Sequence, residues 1–278
     1  MLKMFKSRFL PVLLVIAALV SGCDAPVLDI SEPSHHEKTS ARRALDSVSI
    51  PPPRRIPASE MQKTIERVEG PIRKAAFEVC RELTLPEVRC QNVLASDLQV
   101  MATDQDMNAY ADYHNNVGFT GGMIHYSGSD EELAAVYAHE LAHVMYGHVD
   151  KKINNMLMGM IIGGGIGLAA AYNADPYYDD RITYDLMNTG AAIGSVAYSP
   201  EMEIESDRTA IYILEKAGYS PDSMRDVIVR LHRHQDGAIG GHPNGVGFLQ
   251  THPSNDRRIA HILSSIDDVK SGVPLRLE

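Results

Sequence analysis

His139-Glu140-Leu141-Ala142-His143 is the stretch whose reading decides the fold of this chain. Two histidines four residues apart lie on one face of a helix, so both imidazoles can reach a single metal ion. Glu140 follows the first histidine directly and is placed to act as a general base on water beside that metal. The flanks support a helix. Ser129-Asp130-Glu131-Glu132 reads as a capping box, with Ser129 as N-cap and Glu132 three residues on. Leu133, Val136, Tyr137, Leu141 and Val144 then recur near helical period. The pattern predicts an amphipathic helix over residues 130–150 with the metal-binding pair at its centre, and one Zn2+ as the cofactor.

Zinc in a catalytic site needs a third protein ligand. The pattern H-E-x-x-H-x-x-G-x-x-H requires glycine at position 146 and histidine at position 149, where this chain has Tyr146 and Val149. His148 lies about 140° from His143 on an ideal helix and reads as structural. A later acidic segment offers another source. Ser199-Pro200 gives an N-cap followed by proline at the first helical position, and Gly218 fits the C-cap, which predicts a helix over 200–217. Glu203 and Asp207 fall on one face of it. One carboxylate can bind zinc while the other holds the outer nitrogen of a ligating histidine. An ordinary solvated acidic face has the same spacing.

The ends of the chain carry different signals. Lys3, Lys6 and Arg8 precede an apolar run from Phe9 to Val20, which reads as a signal peptide over residues 1–22. Val20-Ser21-Gly22-Cys23 resembles a bacterial lipobox, with Cys23 as the lipidated residue. Asp24 then resembles an inner-membrane retention signal by enteric rules. Cys80 and Cys90 remain, and an even pair in an oxidising compartment predicts one disulfide. The net charge is −10, and without residues 1–22 it becomes −13. Such an acidic chain argues against nucleic-acid partners. Residues 23–57 contain Pro26, Pro33, Pro51-Pro52-Pro53 and Pro57, and read as an extended tether standing on the order of 30 Å off the membrane, with an ordered arm packed on the domain as the competing reading for Ile50 to Ile56.

Residues 58–270 suffice for one domain with a core, followed by a tail over 271–278. A helical region over 58–83 should break at Gly70-Pro71. Extended segments are expected over 88–94, 98–102, 109–113 and 117–126, and helices over 221–234 and 255–267. The fold class is α+β, helix-dominated, with a small sheet edging the cleft. Residues 156–172 are uncharged and glycine-rich. They read as a buried or mobile hairpin, with a short membrane span as the competing reading.

Four segments together resemble the HtpX-type zinc peptidases, the superfamily that includes the CAAX prenyl proteases. They are Asn108-Ala109-Tyr110-Ala111, Gly121-Gly122-Met123-Ile124, Glu132 through His143, and Glu203-x-x-x-Asp207. The similarity is greatest to the periplasmic lipoprotein, BepA/LoiP-like branch. It implies a gluzincin-type endopeptidase with zinc on His139, His143 and Glu203, and with Asp207 supporting a ligating histidine. Where the family commonly carries arginine after the serine, this chain has Pro200. Thr251-His252-Pro253 and Arg258-Ile259 also resemble a family segment. His252 then reads as a gate, as a transition-state stabiliser, or as part of a helix-start turn. His125, His232, His234 and His242 carry no comparable pattern, although one of them or Tyr198 is a candidate oxyanion donor. The resemblance implies substrates among unfolded or misassembled envelope proteins, bound along the strand at 117–126, and a lipid-anchored location facing the periplasm. The competing function is a zinc-containing, chaperone-like binding module with little proteolysis. A third, a membrane-embedded protease, depends on residues 156–172.

Overall fold

The computed structural model describes Leu28 and residues 32–173, 197–235 and 247–277. Residues 1–22, Cys23, Asp24 and His242 lie outside the described residues. The chain divides into two compact units, one of residues 26–149 and 197–278, the other of residues 1–25 and 150–196. The elements run α1 (His35–Ser47), α2 (Ala58–Glu82), α3 (Glu87–Ala95), β1 (Leu98–Met101), β2 (Ala109–Ala111), β3 (Val117–Thr120), α4 (Gly121–Tyr126) and α5 (Asp130–Tyr146), then α6 (His148–Asn173), α7 (Pro200–Ala217), α8 (Asp222–Gln235), α9 (Gly247–Thr251) and α10 (Asp256–Lys270). The fold is α+β and helix-dominated.

Helix α5 is the central element of the larger unit. Its start is capped as expected: Ser129 Oγ accepts from Glu132 N at 3.1 Å. The Glu132 carboxylate reaches one residue further back, accepting from Gly128 N at 2.9 Å, and is paired with the buried Arg230 guanidinium. From Glu132 to Tyr146 every residue is buried, so the helix is enclosed on all sides rather than amphipathic. Helices α2, α3, α7 and α8 and strand β2 pack around it. It ends at Gly147, whose φ of 63° suits glycine and would strain a residue with a Cβ.

Helix α2 continues through Gly70-Pro71 without a break. Both residues are exposed, while Met61, Ile65, Val68, Ile72, Ala75 and Val79 keep a buried stripe on the other face. Each fully buried aliphatic side chain contributes about 1.5–3 kcal/mol, so three or four outweigh the ~3 kcal/mol cost of a mid-helix proline. Residues 88–94, expected as a strand, lie in α3. Cys90 and Val93 are buried at helical spacing while Val88 is exposed, and Cys90 is bonded to Cys80 with a Cα–Cα distance of 5.6 Å.

The sheet has the order β1-β3-β2, with β1 parallel and β2 antiparallel to β3. The expected strand over 117–126 is therefore only four residues long and central. At Thr120 the chain turns into α4, and Thr120 Oγ1 accepts from Met123 N at 3.2 Å. The turn is tight enough that a Cβ on Gly122 would stand 2.2 Å from the Gln105 carbonyl oxygen. With β3 paired on both sides, β1 and β2 are the edge strands among the described residues, and β2 is the one that packs most on α5.

Two further expectations change. Residues 32–57 are not an extended tether. Helix α1 is closed by a capping box between Ser34 and Glu37 and packs on α10. Downstream, Arg233 Nη2 donates to the Val48 carbonyl (2.5 Å) and Arg230 Nη2 to the Pro51 carbonyl (2.7 Å). Arg54 N donates to the Ser127 carbonyl and Arg55 N to the His125 carbonyl, both at 2.9 Å. The prolines make this strap irregular, and the arginines supply the hydrogen bonds that a ladder would otherwise give. The glycine-rich stretch 156–172 falls inside α6 and not in a hairpin. Among the described residues no helix is long and apolar enough to cross a membrane.

Candidate metal centre

Helix α5 delivers His139 and His143 one turn apart, with Glu140 beside them. Helix α7 crosses against it and presents Glu203 and Asp207 from its first two turns. The start of α7 is set as its sequence suggests: Pro200 occupies the first turn and Ser199 Oγ accepts from Met202 N at 3.3 Å. His252 follows α9, and its N–H donates to the Phe248 carbonyl at 2.8 Å. One ligand atom each from His139, His143, Glu203 and His252 lies within 4.8 Å of the others, and all four side chains are buried. His139 Nε2 is 3.0 Å from His143 Nε2 and 3.3 Å from His252 Nδ1. Glu203 Oε1 is 3.4 Å from His143 Nε2 and 3.0 Å from His252 Nδ1.

The outer nitrogens are held from behind. His139 Nδ1 lies 2.9 Å from Asp207 Oδ1. Arg258, in the first turn of α10, donates from Nε and Nη2 to the two Asp207 oxygens at 2.6 and 2.9 Å. Its Nη1 is 2.7 Å from Glu203 Oε2 and donates to the His252 carbonyl at 2.9 Å. Asn255 caps that helix by accepting from Arg258 N at 2.9 Å, which fixes where the guanidinium enters. On the other side, His143 Nδ1 meets His148 Nδ1 at 2.9 Å. The Tyr198 ring stacks on His143 at 3.9 Å, and Phe248 stacks on His252 at 4.2 Å.

The electrostatics follow from burial and these partners. Burial alone would force Glu203 and Asp207 to stay neutral, but the Arg258 guanidinium outweighs it and holds both below the usual carboxylate range. Burial also works against charge on His139, yet Asp207 and Glu203 push its pKa up to about 9. His143 has no equal support, and burial takes it well below the ordinary histidine value. Burial raises the Glu140 carboxyl. It also raises the Tyr198 phenol, which therefore stays protonated.

This donor set fits zinc. Asp207 fixes the His139 proton on Nδ1, so its Nε2 lone pair faces the cluster, as does that of His143. Two lone pairs 3.0 Å apart repel unless a positive charge stands with them. The raised His139 value expresses the same demand for a cation. Three imidazole nitrogens and a carboxylate oxygen are donors of the type zinc takes. Among the described residues, neither Glu140 oxygen makes a full hydrogen bond, although the Ala111 N–H on β2 faces that carboxyl. A buried carboxylate left this way calls for a further donor from water, an ion or a bound molecule.

The cluster thus brings together His139, Glu140, His143, Glu203, Asp207 and His252, all named from the sequence. Tyr198 joins them. His125 instead contacts the Ile56 carbonyl at 3.0 Å, and His234 lies 5.1 Å from the Tyr126 ring, both away from the cluster. His148 is not among the four donors, in keeping with a structural role, but its ring meets His143 because the chain leaves the helix at Gly147 and the ideal-helix direction no longer holds. The glycine at the C-cap was the available signal. No local pattern announced that Arg258 would reach two carboxylates.

Comparison with known proteins agrees with this geometry. The chain is 26% identical over 172 residues to the beta-barrel assembly-enhancing protease of Yersinia pestis, covering 61% of this chain and 34% of that protein. It is 26% identical over 168 residues to Metalloprotease LoiP of Escherichia coli, covering 60% and 62%. It is 33% identical over 143 residues to the mitochondrial metalloendopeptidase OMA1 of Arabidopsis thaliana, covering 51% and 26%. The chain spans about a third of the length of the beta-barrel assembly-enhancing proteases it matches. Residues 77–266, which include every member of the cluster, match Peptidase family M48, and the chain belongs to that family of zinc-dependent metallopeptidases.

Proposed function

We propose that this protein is a zinc endopeptidase that hydrolyses peptide bonds in unfolded or misassembled cell-envelope proteins. The observation that carries the reading is the buried convergence of His139, His143 and Glu203, with the buried Glu140 carboxyl beside them. Zinc held there supplies Lewis acidity, polarising a carbonyl and lowering the pKa of water. Glu140 takes the proton of the attacking water and passes it to the leaving amine. Asp207 keeps the His139 proton on Nδ1, and Arg258 keeps Asp207 charged. Tyr198, protonated and stacked on His143, is the candidate oxyanion donor. An extended substrate segment adds to β2 rather than β3. The Asn108 carbonyl and Asp112 N–H face β3, so alternation turns the Ala109 and Ala111 main-chain groups to the free edge. Such binding reads backbone more than side chains, which suits unfolded substrates.

The lipobox-like Cys23 supports lipid anchoring on a periplasm-facing surface, with Asp24 favouring the inner membrane by enteric rules. Leu28 is already buried in the domain, and five residues reach at most about 18 Å. The anchor would therefore hold the domain close to the membrane.

Metal removal tests the reading. Chelation is expected to abolish cleavage of an unfolded protein such as casein, and stoichiometric zinc should restore it. Glu203→Ala should purify with well under one zinc per chain by elemental analysis. Full zinc in that variant, or cleavage that survives chelation, would overturn the assignment.

His252 favours the second reading, a zinc-containing binding module with gated proteolysis. A catalytic zinc keeps one position open, and here a fourth protein donor stands in the cluster. Its Nδ1 is 3.0 Å from Glu203 Oε1 while its Nε2 is 3.5 Å from Glu140 Oε1. His252→Ala is expected to raise the casein cleavage rate by about tenfold or more, as opening a closed site should. A fall in rate instead would make His252 a stabiliser of the transition state.

A further inference from the structure

Behind His143 runs a chain of polar contacts that the catalytic reading does not use. His148 Nδ1 is 2.9 Å from His143 Nδ1. His148 Nε2 is 3.2 Å from Glu205 Oε2. Glu205 Oε1 accepts from the main-chain N–H of Leu28 at 3.0 Å. All of these groups are buried, and Leu28 also bridges to Leu277 near the other end of the chain. The hydrogen-bond roles follow from the ends inward. The Leu28 N–H can only donate, so Glu205 accepts there. The other Glu205 oxygen accepts from the His148 Nε2–H. That leaves His148 Nδ1 as an acceptor for the His143 Nδ1–H, and Ser206 Oγ, 3.3 Å from the same nitrogen, can add a second donor. His143 is then fixed with its lone pair on Nε2, the nitrogen that faces Glu203 and His139.

We propose that His148 and Glu205 are positioning residues that set the tautomer and ring orientation of His143, and that the Leu28 main chain is the outer anchor of this relay. The inference rests on His143 being a metal ligand. It makes the Leu28 main chain part of the metal site's support. A carboxylate is required at position 205 because two donors converge on its two oxygens. Glutamine has one acceptor oxygen, so its NH2 must confront either the Leu28 N–H or the His148 Nε2–H. Outer partners of ligating histidines commonly account for 10–100-fold in metal affinity.

The test uses the whole chain and zinc itself. Zinc affinity is measured by chelator competition for wild type, His148→Ala, Glu205→Gln and Leu28→Pro, the last removing the donating N–H. Each variant is expected to bind zinc about 10–100-fold more weakly, and the cobalt-loaded forms should show a shifted ligand-field spectrum, which a loss of packing alone would not give. Coupling is reciprocal, so zinc must also tighten the strap. In a Glu140→Gln background, trypsin cleavage at Lys38, Arg42 or Arg43 should slow when zinc is added. If His148→Ala does not fold, Glu205→Gln decides. Wild-type zinc affinity and an unchanged cobalt spectrum in the folded variants would overturn the relay. Equal trypsin rates with and without zinc would remove Leu28 from it. Failure of the wild type itself to bind zinc would instead sink the proposed function.

Discussion

Replacing Glu140 by glutamine is expected to lower peptide hydrolysis by about 10²–10⁴-fold while leaving zinc content unchanged. The prediction follows from where the carboxyl stands. Glu140 lies next to His139 on α5 but contributes no atom to the four-donor cluster, so the metal does not depend on it. It is fully buried, and among the described residues its oxygens make no full hydrogen bond. Burial raises its pKa above the ordinary carboxylate value, which brings its basicity closer to that needed for accepting and releasing a proton near neutral pH. Glutamine keeps the size and the hydrogen-bonding shape and removes only the base. Turnover of casein or a quenched fluorescent peptide, measured beside zinc content, separates the two roles. Retention of more than a tenth of the wild-type rate would place the base elsewhere. Zinc lost together with activity would make Glu140 part of the metal's support.

The parts of this site that the sequence announces are those whose geometry is local. The separation of four residues puts His139 and His143 on one face, and Glu203 and Asp207 on another, whatever surrounds them. Ser199, Pro200 and Gly218 mark both ends of α7 for the same reason: caps act within one turn. The failures share the opposite cause. Gly147 takes the chain out of the helix, so counting residues along an ideal helix does not give the direction of the His148 ring. Pro71 stayed helical because burial of Val68, Ile72 and their neighbours outweighs a local penalty. The strand pattern at 117–126 did not show that β3 would be paired on both sides, which moves the substrate edge to β2. The strap over 32–57 looked unstructured because its partners, Arg230, Arg233 and Asp130, lie far away in the chain. The reach of Arg258 to Asp207, 51 residues away, is likewise a product of the packing of α10 against α7.

Removing that arginine should be the most destabilising single change at the site. Arg258→Met is expected to cost about 3–5 kcal/mol in the zinc-free protein, because two buried carboxylates lose their shared partner. Asp207 loses two hydrogen bonds and Glu203 an ion pair at 2.7 Å, and the His252 and Pro253 carbonyls lose a donor. Methionine fills much of the volume, so the loss reports charge and hydrogen bonding more than a cavity. Arg258→Lys should recover only part of it, since one ammonium cannot serve both oxygens of Asp207 and reach Glu203 as well. The pH dependence gives the sign. In the wild type both carboxylates are held below their usual range, so the stability they give is present at neutral pH and fades as pH falls through their depressed folded values. Without the guanidinium, burial lifts both. The deficit of Arg258→Met relative to wild type should then be largest near pH 7 and shrink as pH falls, first as the raised carboxyls of the variant take up protons and then, below about 4, as the depressed ones of the wild type do. Zinc should narrow it too, because a cation beside Glu203 supplies part of the charge that Arg258 provided. Chemical unfolding of both proteins at several pH values, with zinc and with chelator, checks each part. A deficit that is independent of pH and of zinc would mean that Arg258 acts by packing alone, and that the charge of Glu203 and Asp207 is balanced by other groups.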